Sequence, residues 1–234
     1  MKINSPSNVG YAVATIVVAA GYTFIGSLFF EEGVGMSKFD LVKEYRSYYT
    51  SERVPEIMEF GIANYLSIEG KGEPGGKVFI QKLKALYSLA YGIKRLCKEQ
   101  GNDFGVPKLE GLWWFDGERP AFEVPRSEWC WKLLIRMPEF VTGELMLSVQ
   151  SEVASKKKND LIREIAFKQF AEGKCIQIMH EGPYANESET IEKLMNFMVD
   201  NDLSVNGLHH EIYLSDPGKT EPSKMKTLIR YPVI

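Results

Sequence analysis

The chain is poor in cysteine and histidine, with only three of each. Cys97, Cys130 and Cys175 are odd in number and widely spaced. They form no CxxC pair, no disulfide framework and no zinc-ligand spacing, which fits a reducing, cytoplasmic compartment. The histidines are His180 and the adjacent pair His209-His210, without the i,i+4 spacing of a helical metal site. No GxGxxG, P-loop or GxSxG stretch occurs, so no cofactor and no metal is implied. Basic charge is not in excess either, with 28 Lys and Arg against 31 Asp and Glu and a net charge of −3. The one basic run, Lys156-Lys157-Lys158, suits a solvated helix end, and a nucleic-acid partner is disfavoured.

What is present is the composition of a globular domain, 44% hydrophobic and 25% charged, over a length that suffices for a sizeable core. Val9 to Phe30 carries no charge. It is long enough to cross a bilayer, for which ~20 residues suffice, but three glycines weaken it and only Lys2 precedes it. A membrane partner follows only if the 9–30 segment is a true anchor. A signal peptide fits poorly, and the chain turns amphipathic abruptly after Met36. Glu31-Glu32-Gly33 also has codons able to spell a ribosome-binding site just before Met36. The expectation is a leader at 1–35, with a native start at Met36, and a folded domain at 36–234.

The most informative stretch is His209-His210-Glu211-Ile212-Tyr213-Leu214, closed by Ser215-Asp216-Pro217-Gly218. Its alternation reads as a half-buried strand entering a turn. His209, Glu211 and Tyr213 then share one face, and His210, Ile212 and Leu214 the other. A carboxylate on a working face needs a partner, either a cross-strand cation or a ligand.

Around this strand the pattern occurs twice. Tyr65–Ile68 alternates like a strand, a glycine loop covers 70–76, and Val78–Glu99 has helical spacing with Tyr87 and Tyr91 on one face. Two strands follow at Lys108–Phe115 and Trp131–Met137. Thr142–Lys158 reads as a linking helix. Then come a strand at Cys175–His180, a loop at Glu181–Ala185 and a helix with a capping box at Asn186 and Glu189. Its apolar face is Ile191, Leu194, Met195 and Met198, and strands at His209–Leu214 and Met225–Tyr231 end the chain. Leu134-Ile135-Arg136-Met137-Pro138 matches Leu228-Ile229-Arg230-Tyr231-Pro232, which places Glu110 opposite Glu211 in the comparison. The expected fold is α+β. Two strand-helix-strand-strand (SHS2) units, at about 60–140 and 165–234 and linked by a helix at about 142–158, form one antiparallel sheet. Both helices lie on one face, with a ligand cleft between them.

These units, with Leu109-Glu110-Gly111-Leu112-Trp113-Trp114, His180-Glu181-Gly182-Pro183-Tyr184 and His209 through Pro217, resemble the GyrI-like small-molecule-binding proteins. The resemblance spans roughly Phe39 to Val233 and is nearest the stand-alone subfamily. It implies the regulatory-factor effector-binding fold. It also implies that Glu211 matches the buried Glu with which relatives meet cationic aromatic drugs. Some stand-alone members resemble hydrolases that open the cyclopropane ring of DNA-alkylating natural products inside an aromatic cage. On that likeness the catalytic candidates are Glu211, Tyr184 and Tyr213. The ligand-binding candidates are Trp113, Trp114, Tyr87, Tyr91, Glu110, Trp131, His180 and His209. The bland readings are a salt-bridged Glu211, a core residue for one of the two neighbouring tryptophans, and structural roles for His180 and His210. The expected partner is an aromatic or hydrophobic small molecule. Drug sequestration and a gyrase-inhibitor-like protein partner are the alternatives to hydrolysis.

Overall fold

The computed structural model describes residues 38–117, 119 and 123–234. The leader at 1–35 lies outside the described residues, as does the start at Met36. Among the described residues no helix is long and apolar enough to cross a membrane.

Two one-turn helices, α1 (Leu41–Glu44) and α2 (Arg46–Tyr49), precede β1 (Glu56–Lys71). Next come α3 (Lys77–Glu99), β2 (Leu109–Trp114) and β3 (Cys130–Met137). After α4 (Gly143–Lys157), β4 (Ala166–Glu181), α5 (Glu187–Asp200), β5 (His209–Tyr213) and β6 (Lys226–Pro232) follow in the same order. Strand, helix, strand, strand thus occurs twice, and the two matching pentapeptides lie on β3 and β6.

The strands form one antiparallel sheet. It closes in the order β1-β3-β2-β5-β6-β4, with β4 back on β1. Closure comes from the length of β1 and β4, 16 residues each. The alternation of Tyr65–Ile68 and Cys175–His180 revealed only the ends of these strands. Their other halves, 56–64 and 166–174, carry the ladder between the two strands, which runs from Glu56 opposite Gln177 to Ser67 opposite Ala166. Those halves carry Glu59, Lys168, Gln169 and Lys174, polar residues that a two-sided buried strand would not hold. Closure removes the edges that an open sheet would leave to other chains.

One face of the sheet meets α3 and α5. The α5 contacts are as the periodicity indicates: Ile191, Leu194 and Met198 pack on Ile176, Ile178, Ile229 and Tyr231, with Met195 half-buried beside them. Phe79, Leu83, Leu86 and Ile93 of α3 join a larger core with Leu66, Ile68, Leu133 and Ile135. Thr142 caps α4, its hydroxyl accepting from the Leu145 amide at 3.2 Å. Asn186 makes no such bond, so the capping box expected at Asn186 and Glu189 is not formed. A 3-10 turn over Tyr184–Asn186 leads into α5 instead.

The opposite face holds a buried polar network. His210 bridges two acids, with Nδ1 2.7 Å from Glu172 and Nε2 3.1 Å from Glu110. Tyr48 enters from α2 and donates to Glu110 at 2.5 Å. The Arg230 guanidinium donates to Glu172, to Gln177 and to the Tyr48 carbonyl. Burial alone would push His210 down, but Glu172 and Glu110 outweigh it and hold the imidazole up at about 9. Burial would raise Glu172, yet His210 and Arg230 hold it down at about 2.

Candidate functional site

The strand β5 turns His209, Glu211 and Tyr213 toward the helices, and His210 and Ile212 away from them. Glu211 is fully buried on β5 opposite Gly111 of β2. Its Oε1 meets His209 Nε2 at 2.7 Å, while its Oε2 is buried with no hydrogen-bond partner. The Tyr213 hydroxyl accepts from Trp113 Nε1 at 3.0 Å. Only glycine fits at 111, because a Cβ there would stand 2.8 Å from Trp113 Nε1 and 3.0 Å from the Tyr213 hydroxyl. The glycine in Leu109-Glu110-Gly111-Leu112-Trp113-Trp114 therefore makes room for the Trp113–Tyr213 bond.

Above this floor stand the first turns of α3 and α5. Phe79 of α3 stacks on Trp113 with ring centres 6.0 Å apart, and Trp129 meets Trp113 edge-on at 6.3 Å. Trp131 is fully buried behind Phe79, edge-on at 5.0 Å, and donates to the Gly72 carbonyl at 3.1 Å. Tyr184, from the turn before α5, meets Tyr213 edge-on at 6.1 Å. Such edge and offset contacts are the favoured aromatic geometries.

Glu187, the first residue of α5, completes the cluster and was not singled out from the sequence. It is fully buried, and neither carboxyl oxygen has a hydrogen-bond partner. The Thr227 hydroxyl lies close enough to favour its charged form slightly, but outside hydrogen-bonding geometry. Burial, and then the nearby charge on Glu211, push the Glu187 carboxyl well above its ordinary range. Glu187 therefore keeps its proton. Two buried carboxyl groups without a salt-bridging Lys or Arg are costly to fold around, so the pair is a strained feature of the kind found where chemistry is done. A Glu in a polar helix start gives no such signal in the sequence. Only the tertiary contact with Glu211 distinguishes it from a solvated one.

Burial, followed by Glu187 and Glu211, pushes the Tyr184 phenol up. Burial and Glu211 do the same to Tyr213. Both phenols hold their protons.

The structure thus brings Glu211, Tyr213, Tyr184, Trp113 and His209 together, with Trp131 one ring behind. His209 also packs on Tyr231, ring centres 4.9 Å apart. His180 sits at the margin. Its Nδ1 is 2.9 Å from the Thr190 hydroxyl and its Nε2 3.2 Å from the Pro183 carbonyl. Burial lowers its pKa, so the ring is neutral. The carbonyl requires the proton on Nε2, and Nδ1 accepts from Thr190. This imidazole ties β4 to the turn that carries Tyr184.

Four expected residues do not figure in these contacts. Trp114 is half-buried and, next to Trp113 on the strand, faces the other way. Tyr87 and Tyr91 stack on each other along α3, and Tyr91 is exposed. Glu110 is on the far face, in the His210 network, and is not the counterpart of Glu211. Leu134 pairs with Glu110, whereas Leu228 pairs with Ile212. The matching pentapeptides therefore set Glu110 against Ile212, and Glu211 against Leu109. That single-residue offset sends the two carboxylates to opposite faces.

Residues 54–234 match the family model described as a GyrI-like small molecule binding domain. Among solved structures, an uncharacterized conserved protein from Listeria innocua is 36% identical with a TM-score of 0.79, covering 84% of this chain and 100% of its own. A structure named as a hydrolase from the same organism is 38% identical with a TM-score of 0.74, again covering 84% of this chain and 100% of its own. No curated protein matches the chain. A family match over most of the chain, together with relatives of this identity matched along their full length, places it: the chain belongs to the GyrI-like small-molecule-binding family.

Proposed function

We propose that this protein protects against amphipathic, aromatic and often cationic xenobiotics by binding them over Glu211, and that it hydrolyses electrophilic members of that class. The single observation that carries this is the buried acid pair, Glu187 and Glu211, beside Trp113, Tyr213 and Tyr184. The aromatic faces supply burial and cation–π attraction, ~0.5–2 kcal/mol per contact. The carboxylate of Glu211 supplies charge complementarity. The strand-helix-strand-strand units act as repeats whose seam, β2 against β5, forms the floor of the site. Ligands enter by displacement of the Tyr184 turn, which hangs between Gly182 and α5.

An acid whose burial favours its proton, Glu187, beside a second carboxyl, Glu211, suits ring opening by water. Cyclopropanoid DNA alkylators, on which a hydrolase of this type would act, conjugate a strained ring to a carbonyl. The base takes a proton from water, and the oxygen forms a bond to the ring CH2. The C–C bond breaks, its electron pair moves to the carbonyl oxygen, and that oxygen takes a proton to become a phenol. Glu211 is assigned as the base and Glu187 as the acid that supplies the proton. Tyr213 and Tyr184 orient by donating hydrogen bonds. A solved structure from Listeria innocua named as a hydrolase, 38% identical to this chain, supports a hydrolytic reading.

The test is incubation of the protein with a cyclopropanoid alkylator in 18O-labelled water. Ring-opened product with one solvent oxygen is expected, and Glu211→Gln should abolish it. Binding with the alkylator recovered intact would limit the protein to sequestration. No binding would overturn the reading altogether.

A further inference from the structure

Arg136 and Arg230 occupy the same place in the two matching pentapeptides, yet their surroundings are opposite. Arg230 is saturated, with Glu172, Gln177 and the Tyr48 carbonyl as acceptors. Arg136 is more than nine-tenths buried, and its Nε has no hydrogen-bond partner. Among the described residues it forms no ion pair. Its guanidinium lies against the faces of Tyr45 and Tyr48, with the central carbon 3.9 and 4.4 Å from the ring centres. Stacking satisfies the faces of a guanidinium but not its in-plane donors, and burying a cation without an acceptor is expensive.

Arg136 also lines a cavity of about 220 Å³, together with Tyr45, Ile62, Asn64, Glu139 and Gln169. This is a different place from the acid pair, lined mainly from β1, β3 and β4. The cavity is below the ~300–1,000 Å³ of sites for drug-sized molecules, so it does not suit the aromatic ligands of the other site. Its polar groups divide by role. The Asn64 amide donates to the Val141 carbonyl at 3.0 Å and its oxygen accepts from Gln169 Nε2 at 2.7 Å. Asn64 is therefore used up, and Gln169 is left with an acceptor oxygen. Glu139 accepts from the Tyr45 hydroxyl at 3.2 Å through one oxygen, which leaves the other. The cavity thus offers one cationic donor, Arg136, and acceptors on Glu139 and Gln169, with the apolar Ile62 between polar neighbours.

We propose that this cavity binds a small neutral α-amino acid as its zwitterion. The carboxylate pairs with Arg136, the ammonium group faces Glu139 and Gln169, and a short side chain rests near Ile62. A carboxylate alone would satisfy Arg136 but would be repelled by Glu139. A cation alone would leave Arg136 unpaired.

The probes are L-alanine and L-lactate, which differ in an ammonium against a hydroxyl. Each is titrated into the full chain, following the Arg136 Nε–H signal by NMR and the heat by calorimetry. Saturable binding of L-alanine is expected, at least about tenfold tighter than L-lactate, equivalent to ~1.4 kcal/mol. Arg136→Gln should abolish it, and Glu139→Gln should bring L-alanine down to L-lactate. Glu139 is exposed, so that variant should fold even where Arg136→Gln does not. No saturable signal with L-alanine at millimolar concentration would overturn the proposal. So would equal binding of the two probes, or a preference for L-alanine that survives Glu139→Gln.

Discussion

Replacing Glu187 by glutamine should stabilise the protein, and the gain should grow with pH. The folded chain holds a proton on Glu187 that the unfolded chain releases above the ordinary carboxyl value of 4.5. A group that binds more protons folded than unfolded makes stability fall as pH rises, over the interval between its two pKa values. The slope is about 1.4 kcal/mol per pH unit for one such group. Glutamine keeps the shape, carries no titrating proton and can donate to the unpaired Oε2 of Glu211. The stability difference between variant and parent should therefore widen steadily as pH rises above 4.5, until the folded-state value is reached. Equilibrium urea unfolding of both proteins from about pH 5 to 7.5, at fixed ionic strength, reads this directly. The stabilised variant should lose ring-opening activity, the usual trade between stability and a strained site. Parallel pH curves for the two proteins would mean that Glu187 titrates alike folded and unfolded, and the acid-pair argument would fail.

The far-face network gives a second pH signature. His210 is raised from 6.5 to about 9, so its contribution of about 3 kcal/mol is fully present below pH 6.5 and is lost as pH climbs through about 9. Unfolding of Glu187→Gln between those limits isolates this term. Glu172, lowered from 4.5 to about 2, contributes above 4.5 and loses that contribution as pH falls toward about 2, so acid unfolding of Glu172→Gln should begin from a less stable state and show a flatter dependence. Gly70→Ala should cost ~1–3 kcal/mol by thermal or urea unfolding, because its Cβ would stand 2.2 Å from the Trp131 ring. The same variant should weaken aromatic ligands, since Trp131 supports Phe79 and Phe79 supports Trp113.

Much of the domain is visible in the chain because its signals are local. The 3.6-residue spacing of Leu83, Leu86, Ala90 and Ile93 marks α3, and the alternation of His209 to Tyr213 assigns each side chain its face. The pentapeptides containing Arg136 and Arg230 mark the last strand of each run of strand, helix, strand, strand. What was hidden depends on contacts far apart in sequence. The outer halves of β1 and β4 carry polar residues on an exposed side, so their pairing, and with it the closure of the sheet, leaves no hydrophobic pattern. The register of β2 against β3 differs by one residue from that of β5 against β6. Sequence comparison therefore matched Glu110 with Glu211, while the ladders send them to opposite faces. Glu187 looks like any acid in a first helical turn, where the dipole favours it. Phe79 and Trp129 carried no motif, and their place beside Trp113 follows only from the fold.

The central claim is that the Glu211 carboxylate meets the ligand inside the aromatic cluster. Calorimetric titration of Glu211→Gln and its parent with two flat aromatic dyes of equal size, one cationic and one neutral, tests it most directly. The cationic dye should bind the variant ~1–3 kcal/mol more weakly, the range for losing a charged hydrogen-bond partner, and the neutral dye almost unchanged. If both dyes bind the variant as they bind the parent, while its melting temperature falls, Glu211 is a structural partner of His209 and the site lies elsewhere.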